Sequence, residues 1–324
     1  MRQKFDFVGP NITPKAEVRA THALALAQRQ ENTFHKEELE KTPGERAAIE
    51  LFDKFLKQEF LELDIPEVPE LRPDRFHVMS EAWFSKHRNK STQGSYVHLY
   101  DKTLISRERP GSPVQVYTTI LHEAIHSVAK LKIRLSGEEA IPTIYRLGYD
   151  IKNTSDTDNA HAHLVGFNEG VVELTTQDIF EKREKEIAAR LNLSKREMEE
   201  AKFYYADGRA VTRSLCHGLG EATGVGPKVA WDKIKRGQFT GEMMHLRDIE
   251  RTYGKGSLRI LDALDVTSDL STAQTIEQEK ISRRNEQIRA YFESYDRPGQ
   301  SLAVTRSRLA IAILGLEGYK QYCQ

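Results

Sequence analysis

His122-Glu123-Ala124-Ile125-His126 restricts what this chain can fold into more than any other stretch. On a helix, residues four apart lie one above the other on a single face. His122 and His126 can therefore both direct a ring nitrogen at one Zn2+ about 2.0–2.1 Å away. Glu123 lies one residue further round, within reach of a water on that metal without ligating the metal itself. A general base beside an activated water is the equipment of metal-assisted amide hydrolysis. The alternative is an amphipathic helix with two half-buried histidines. The flanking sequence predicts a helix under either reading: Ser112-Pro113-Val114-Gln115 reads as an N-cap, a first-turn proline and a capping-box glutamine. Apolar residues then recur at Tyr117, Ile120, Leu121, Ala124, Ile125, Val128 and Leu131, close to helical spacing.

The chain's 324 residues suffice for one large or two modest domains. Its 48 basic and 48 acidic side chains cancel, so nothing in the charge points to a nucleic-acid or membrane-surface partner. Cys216 and Cys323 provide no disulfide framework, and neither belongs to a C-x-x-C knuckle. Met1 to Pro10 carries no apolar leader core. The longest apolar run, Leu309 to Leu316, ends in Glu317 and is short of the roughly 18 residues of a membrane span. A cytoplasmic location is the expectation.

Two helices open the chain, one from Thr13-Pro14 through Ala27 and one behind the capping box Thr42-Pro43-Gly44-Glu45, burying Ile49, Phe52, Leu56 and Phe60. Proline punctuates an extended connector from Asp64 to Pro73. Strand character follows at Arg75–Met79, Tyr96–Leu99 and Thr103–Ser106, the last two joined by a turn at Tyr100-Asp101-Lys102. A sheet edge beside a metal helix can accept an extended peptide as a further strand, although ordinary sheet-on-helix packing explains the pattern as well. Ile144–Ile151 reads as a strand and Lys152–Asn159 as a polar loop. From Phe167 onward the pattern is helical: a helix capped by Ser194 running towards Leu219, a break at Gly224–Gly226, and shorter helices near Val229–Lys235 and Met243–Arg251. A one-faced helix over Thr275–Tyr295, a turn at Asp296–Gly299 and a last helix complete the pattern.

A catalytic zinc ordinarily has three protein ligands and an open position. Downstream of the histidines lies Asn168-Glu169-Gly170-Val171-Val172-Glu173. With this segment the chain, over roughly Tyr96 to Leu174, resembles the gluzincin branch of the zincin metallopeptidases, which includes thermolysin and the aminopeptidase N family. These pair H-E-x-x-H with a glutamate that follows an asparagine on a later helix. The resemblance implies Glu169 as third ligand and Glu173, one turn on, as a carboxylate that orients His122 or His126. The spacer, residues 127–168, is much longer than in those relatives, which an insertion carrying the Ile144–Ile151 strand would explain. Glu173 itself, His161, His163, Glu138 and Glu139 are the competing ligands, and Asn168-Glu169 also reads as an N-cap followed by a first-turn acid.

In the gluzincins a Tyr or His from the helical half supplies the oxyanion donor. The candidates here are Tyr204, Tyr205, Arg209, Arg213 and His217. Tyr205 and Arg209 come first because Tyr205, Arg209 and Arg213 share one face of the expected long helix. His22, His35, His77, His87, His98 and His245 read as structural or solvent-facing, and Trp83 and Trp231 as packing anchors. The G-x-M-E-N segment by which aminopeptidase N relatives hold a free amino terminus is absent; Val78-Met79-Ser80-Glu81 is the nearest approach. An endopeptidase is thus expected ahead of an aminopeptidase.

The expected fold is α+β and zincin-like: a helical segment over residues 1–73, a strand-helix region with a small mixed sheet and the active-site helix over 74–175, and a helical region over 176–324. The expected activity is hydrolysis of peptide or protein substrates with one Zn2+, using Glu123 as base. A zinc-stabilised helical interaction module with a structural or lapsed site is the alternative, and a closed four-ligand set including His161 or His163 would favour it. A hydrolase held shut by its own terminal helices is a third possibility.

Overall fold

A computed structural model describes residues 5–9, 12–30, 37–66, 70–88, 92–98, 100–136, 141–152, 162–265, 276–294 and 302–323. The fold is α+β, with small mixed sheets and a predominance of helix. Two compact units interleave along the chain: Met1–Leu147 with Thr175–Phe203, and Gly148–Leu174 with Tyr204–Gln324.

The first unit begins with β1 (Phe5–Val8), α1 (Pro14–Gln30), β2 (Glu38–Leu39) and α2 (Pro43–Glu62). The Thr42 capping box forms as the sequence dictates: Glu45 N donates to the Thr42 hydroxyl and Thr42 N to the Glu45 carboxylate, a pairing that contributes about 1 kcal/mol. A 3-10 turn at Pro73–Arg75 leads into β3 (Phe76–Met79), followed by α3 (Glu81–His87), β4 (Gly94–Val97), β5 (Lys102–Ser106) and α4 (Pro113–Val128). β6 (Leu131–Ser136) and β7 (Ile141–Leu147) end this part.

The strands form two groups. One sheet has the order β2-β3-β5-β4, with β3 parallel to β5 and β4 antiparallel to it, so among the described residues β4 is an edge strand. The β4–β5 hairpin closes through Asp101, whose backbone is left-handed (φ 51°) and whose carboxylate accepts from the Tyr96 hydroxyl at 2.9 Å. Elsewhere β6 runs parallel to β1 and antiparallel to β7, with a bulge between Lys132 and Ile133. Leu131, Ile133 and Leu135 on one face of β6 share a core with Ala20 and Leu24 of α1.

Next come β8 (Asp150–Lys152), β9 (Ala162–His163) and α5 (Val165–Lys182). The expected strand over Ile144–Ile151 is therefore two strands, β7 and β8. Gly148 turns the chain between them in a left-handed conformation (φ 55°) that its missing side chain permits. α6 (Glu184–Leu191) and α7 (Lys195–Glu199) return to the first unit. Ser194 caps α7 with a reciprocal Glu197 box, but the helix ends after five residues instead of running on to Leu219. α8 (Ala206–Thr223) starts afresh after Tyr205, itself left-handed at φ 53°.

The second unit continues with α9 (Pro227–Thr240), α10 (Leu246–Tyr253), α11 (Ser257–Asp262), α12 (Ile276–Glu293) and α13 (Leu302–Cys323), the last kinked at Gly315. Its core joins Phe167 and Val171 of α5 to Val211 and Leu215 of α8 and to Ile288, Tyr291 and Phe292 of α12. The expected break at Gly224–Gly226 separates α8 from α9. Among the described residues no helix is long and apolar enough to cross a membrane. Leu99, the loop from Asn153 to Asn159 and the turn Asp296–Gly299, like His35, Glu138, Glu139 and His161, lie outside the described residues.

Candidate metal centre

α4 is buried along almost its whole length, with Ile120, Leu121, Ala124 and Ile125 at 0–1% exposure. It packs against α2 on one side and against β4 and β5 on another. Ser112 caps it as expected, its hydroxyl accepting from Gln115 N at 3.4 Å. The Gln115 side chain departs from the capping-box expectation: its amide donates to the Lys202 carbonyl and accepts from Lys202 N, both at 2.9 Å. This two-way bond copies a strand ladder and docks the segment between α7 and α8 onto α4.

Further along the same face as Gln115 stand His122 and His126, at 8% and 7% exposure. Their Nε2 atoms are 3.2 Å apart, with the rings inclined at 64°. Two ligands each ~2.1 Å from a tetrahedral zinc stand about 3.4 Å apart, so the pair is spaced as the metal requires. Glu123, 7% exposed, faces β4: a Cβ built on Gly94 would stand 2.8 Å from its Oε1 and 2.8 Å from the Thr119 methyl. The edge strand thus passes directly over the general-base candidate, and only a glycine permits it.

α5 opens at Val165, so Asn168 and Glu169 lie inside the helix and are not its cap and first acid. Asn168 is 2% exposed and accepts from Tyr149 N at 3.0 Å, tying the helix to the turn after β7. Gly170 has a packing reason. A Cβ there would come within 2.6 Å of the Gly208 carbonyl oxygen, so α5 and α8 approach backbone to backbone. Glu173, 3% exposed, accepts from Tyr204 N.

His122, His126 and Glu169 each offer a ligand atom, and these atoms all lie within 4.8 Å of one another. Two imidazoles and a carboxylate are a donor set that suits zinc, and their spacing fits a single ion. Glu173 and His163 are not in the set. The His163 Nδ1 is instead 2.9 Å from Asp262 Oδ2.

The oxyanion candidates are scattered by the break before α8. Tyr205 packs on the core of the second unit, and Arg209 Nε donates to the Tyr204 carbonyl at 3.0 Å. Arg213 and His217 are exposed. Tyr205, Arg209 and Arg213 do not share one helix face, because Tyr205 precedes the helix in a left-handed turn. The sequence reading missed Gly94 and the Gln115–Lys202 clamp. A glycine opening a strand signals close backbone approach, whereas nothing local pairs Gln115 with a residue so far along the chain.

This chain matches no family model, no curated protein and no solved structure.

Proposed function

We propose that the chain is a zinc-dependent metallopeptidase of gluzincin type, acting within peptide chains rather than at their amino termini. The observation that carries the reading is the convergence of His122, His126 and Glu169, with Glu123 next to the first histidine on the same buried helix. Zinc, when bound by these three residues, would polarise a substrate carbonyl and lower the pKa of water towards ~7.

Glu123 accepts the proton of the attacking water and returns it to the leaving amine as the C–N bond breaks. Its carboxylate is shielded from bulk solvent, and the Gly94 backbone and Thr119 methyl restrict where it can move. The edge position of β4 supports an extended substrate adding to that strand, with alternate side chains pointing away from the sheet. Tyr205 and Arg209, half-buried around the start of α8, are kept as the proposed donors to the oxyanion, although the left-handed turn at Tyr205 removes the shared helix face that singled them out in the sequence. Against a closed structural site stands Glu123 itself, since a purely structural zinc needs no base beside its ligands. The engagement of His163 by Asp262 also removes one candidate for a fourth ligand.

The test is metal content followed by turnover. Wild type purified without added metal is expected to hold about one zinc per chain, lost in His126→Ala and in Glu169→Ala. Glu123→Gln is expected to keep the zinc while peptide hydrolysis falls by at least ~100-fold. Undiminished turnover in Glu123→Gln would sink the mechanism, and a wild type that takes up no zinc would sink the site.

A further inference from the structure

The residue that launches α5 breaks two local rules at once. Leu164 precedes the first helical residue and its carbonyl accepts from Asn168 N at 2.8 Å, so it is the N-cap. A leucine there has no side-chain acceptor for the helix's unpaired N–H groups. It also sits in the left-handed region (φ 59°), which a bulky side chain seldom adopts. Such conflicts persist only where surrounding structure enforces them, and they concentrate at functional sites.

The enforcing group is Asp262, the last residue of α11. Its Oδ1 accepts from Leu164 N at 2.6 Å and its Oδ2 is 2.9 Å from His163 Nδ1, so a single carboxylate grips both residues ahead of the helix. Two further contacts fix the same turn. The Leu164 side chain is 6% exposed, in one core with Ile260, Leu261 and Leu264. A Cβ on Gly166 would stand 2.2 Å from the Leu264 carbonyl oxygen, so the helix lies flush on the end of α11.

Glu169 is five residues beyond Leu164, about 7.5 Å along the axis. Metal distances tolerate only about 0.2 Å, so the angle and rotation at which α5 starts decide whether that carboxylate reaches the ion. We infer that Asp262 is a positioning residue for the metal site: by holding His163 and Leu164 N it sets the start of α5 and hence the place of Glu169. The inference rests on the metallopeptidase reading. It adds a residue that touches neither metal nor substrate and lies ninety-three positions from the ligand it serves.

The experiment is a zinc titration of metal-free full-length protein against a chelating indicator, with thermal melting of each apo variant alongside. Asp262→Ala is expected to weaken zinc binding by about ten-fold or more, the loss typical of outer-shell partners. Asp262→Asn keeps an oxygen for Leu164 N and is expected to recover most of that loss. Tyr253→Phe removes the bond from the Tyr253 hydroxyl to the Phe292 carbonyl in the same unit and is expected to leave zinc affinity unchanged. Unaltered affinity in a folded Asp262→Ala overturns the inference. So does an equal loss in Tyr253→Phe, which would mean general loosening. Should Asp262→Ala not fold, Asp262→Glu takes its place, since the extra methylene displaces the grip but keeps the charge; wild-type affinity there overturns the inference equally. A wild type that binds no zinc overturns the metallopeptidase reading and the inference together, whereas a failure confined to the Asp262 variants leaves that reading intact.

Discussion

Glu123 shows how closely the candidate base depends on a residue with no side chain. Its Cγ lies 2.7 Å from where a Gly94 Cβ would be, well inside any contact that real Cβ atoms make. Gly94→Ala must push Glu123 off its present rotamer or lift the edge strand, and a displaced base loses its alignment on the water. The variant is expected to retain zinc while hydrolysis falls by ~10–100-fold, measured as kcat on a generic peptide substrate beside metal content. Zinc lost together with activity would mean that the strand supports the ligands and not the base. The His-Glu-x-x-His pattern and Asn168-Glu169 were legible because each is local chemistry at fixed spacing. Gly94 was not legible as part of the site, because its role exists only once β4 crosses α4. Gly170, part of a motif in the sequence, owes its place to the close approach of α8.

Among the elements, the caps at Thr42, Ser112 and Ser194 all formed where the sequence placed them, since a cap is satisfied by residues three positions away. The length of the helix behind a cap is not fixed locally. Behind Ser194 the helix stops after five residues, and Gln115 of α4 takes up both backbone groups of Lys202 in the gap. Periodicity alone could not show this, because the competing partner lies on another element. Gln115→Ala strands the Lys202 N–H and C=O and is expected to destabilise the protein by about 1–3 kcal/mol in urea melts. Gln115→Glu is expected to cost about as much, since it supplies an acceptor for Lys202 N but sets an anion against the Lys202 carbonyl. A glutamate variant as stable as wild type would show that the carbonyl side of the clamp contributes nothing.

At the scale of the whole molecule, fold class was legible because it needs only the alternation of strand-like and helix-like periods. The course of the chain was not. It leaves one compact unit at Leu147, beside the left-handed Gly148, and re-enters it at Thr175, within the unbroken helix α5, where no glycine or proline marks the crossing. Stability against pH is a property of this scale, and a pair made by a buried histidine and a half-buried glutamate contributes to it. His77 of β3 is 1% exposed, with Nδ1 2.8 Å from Glu38 Oε2 on the neighbouring strand β2. Burial holds the imidazole below its ordinary 6.5, and the Glu38 carboxylate offsets this only in part. For Glu38, burial acts upward, but hydrogen bonds and charge from Lys41 and His77 prevail and hold it below its ordinary 4.5. Both groups therefore bind protons more readily in the unfolded chain. The His77 contribution is present above 6.5 and is lost as pH falls through its lowered folded value. The Glu38 contribution is present above 4.5 and is lost in a second, more acidic window. The melting temperature should accordingly fall on going from about pH 7.5 to about pH 5.5, before ordinary carboxylates titrate. His77→Gln, which keeps a hydrogen-bonding group against Glu38 but cannot titrate, should flatten that part of the curve and leave the drop at lower pH. If the two proteins lose stability in parallel across the upper window, the acid sensitivity belongs to another histidine, and the β2–β3 pairing is not where the fold yields to acid.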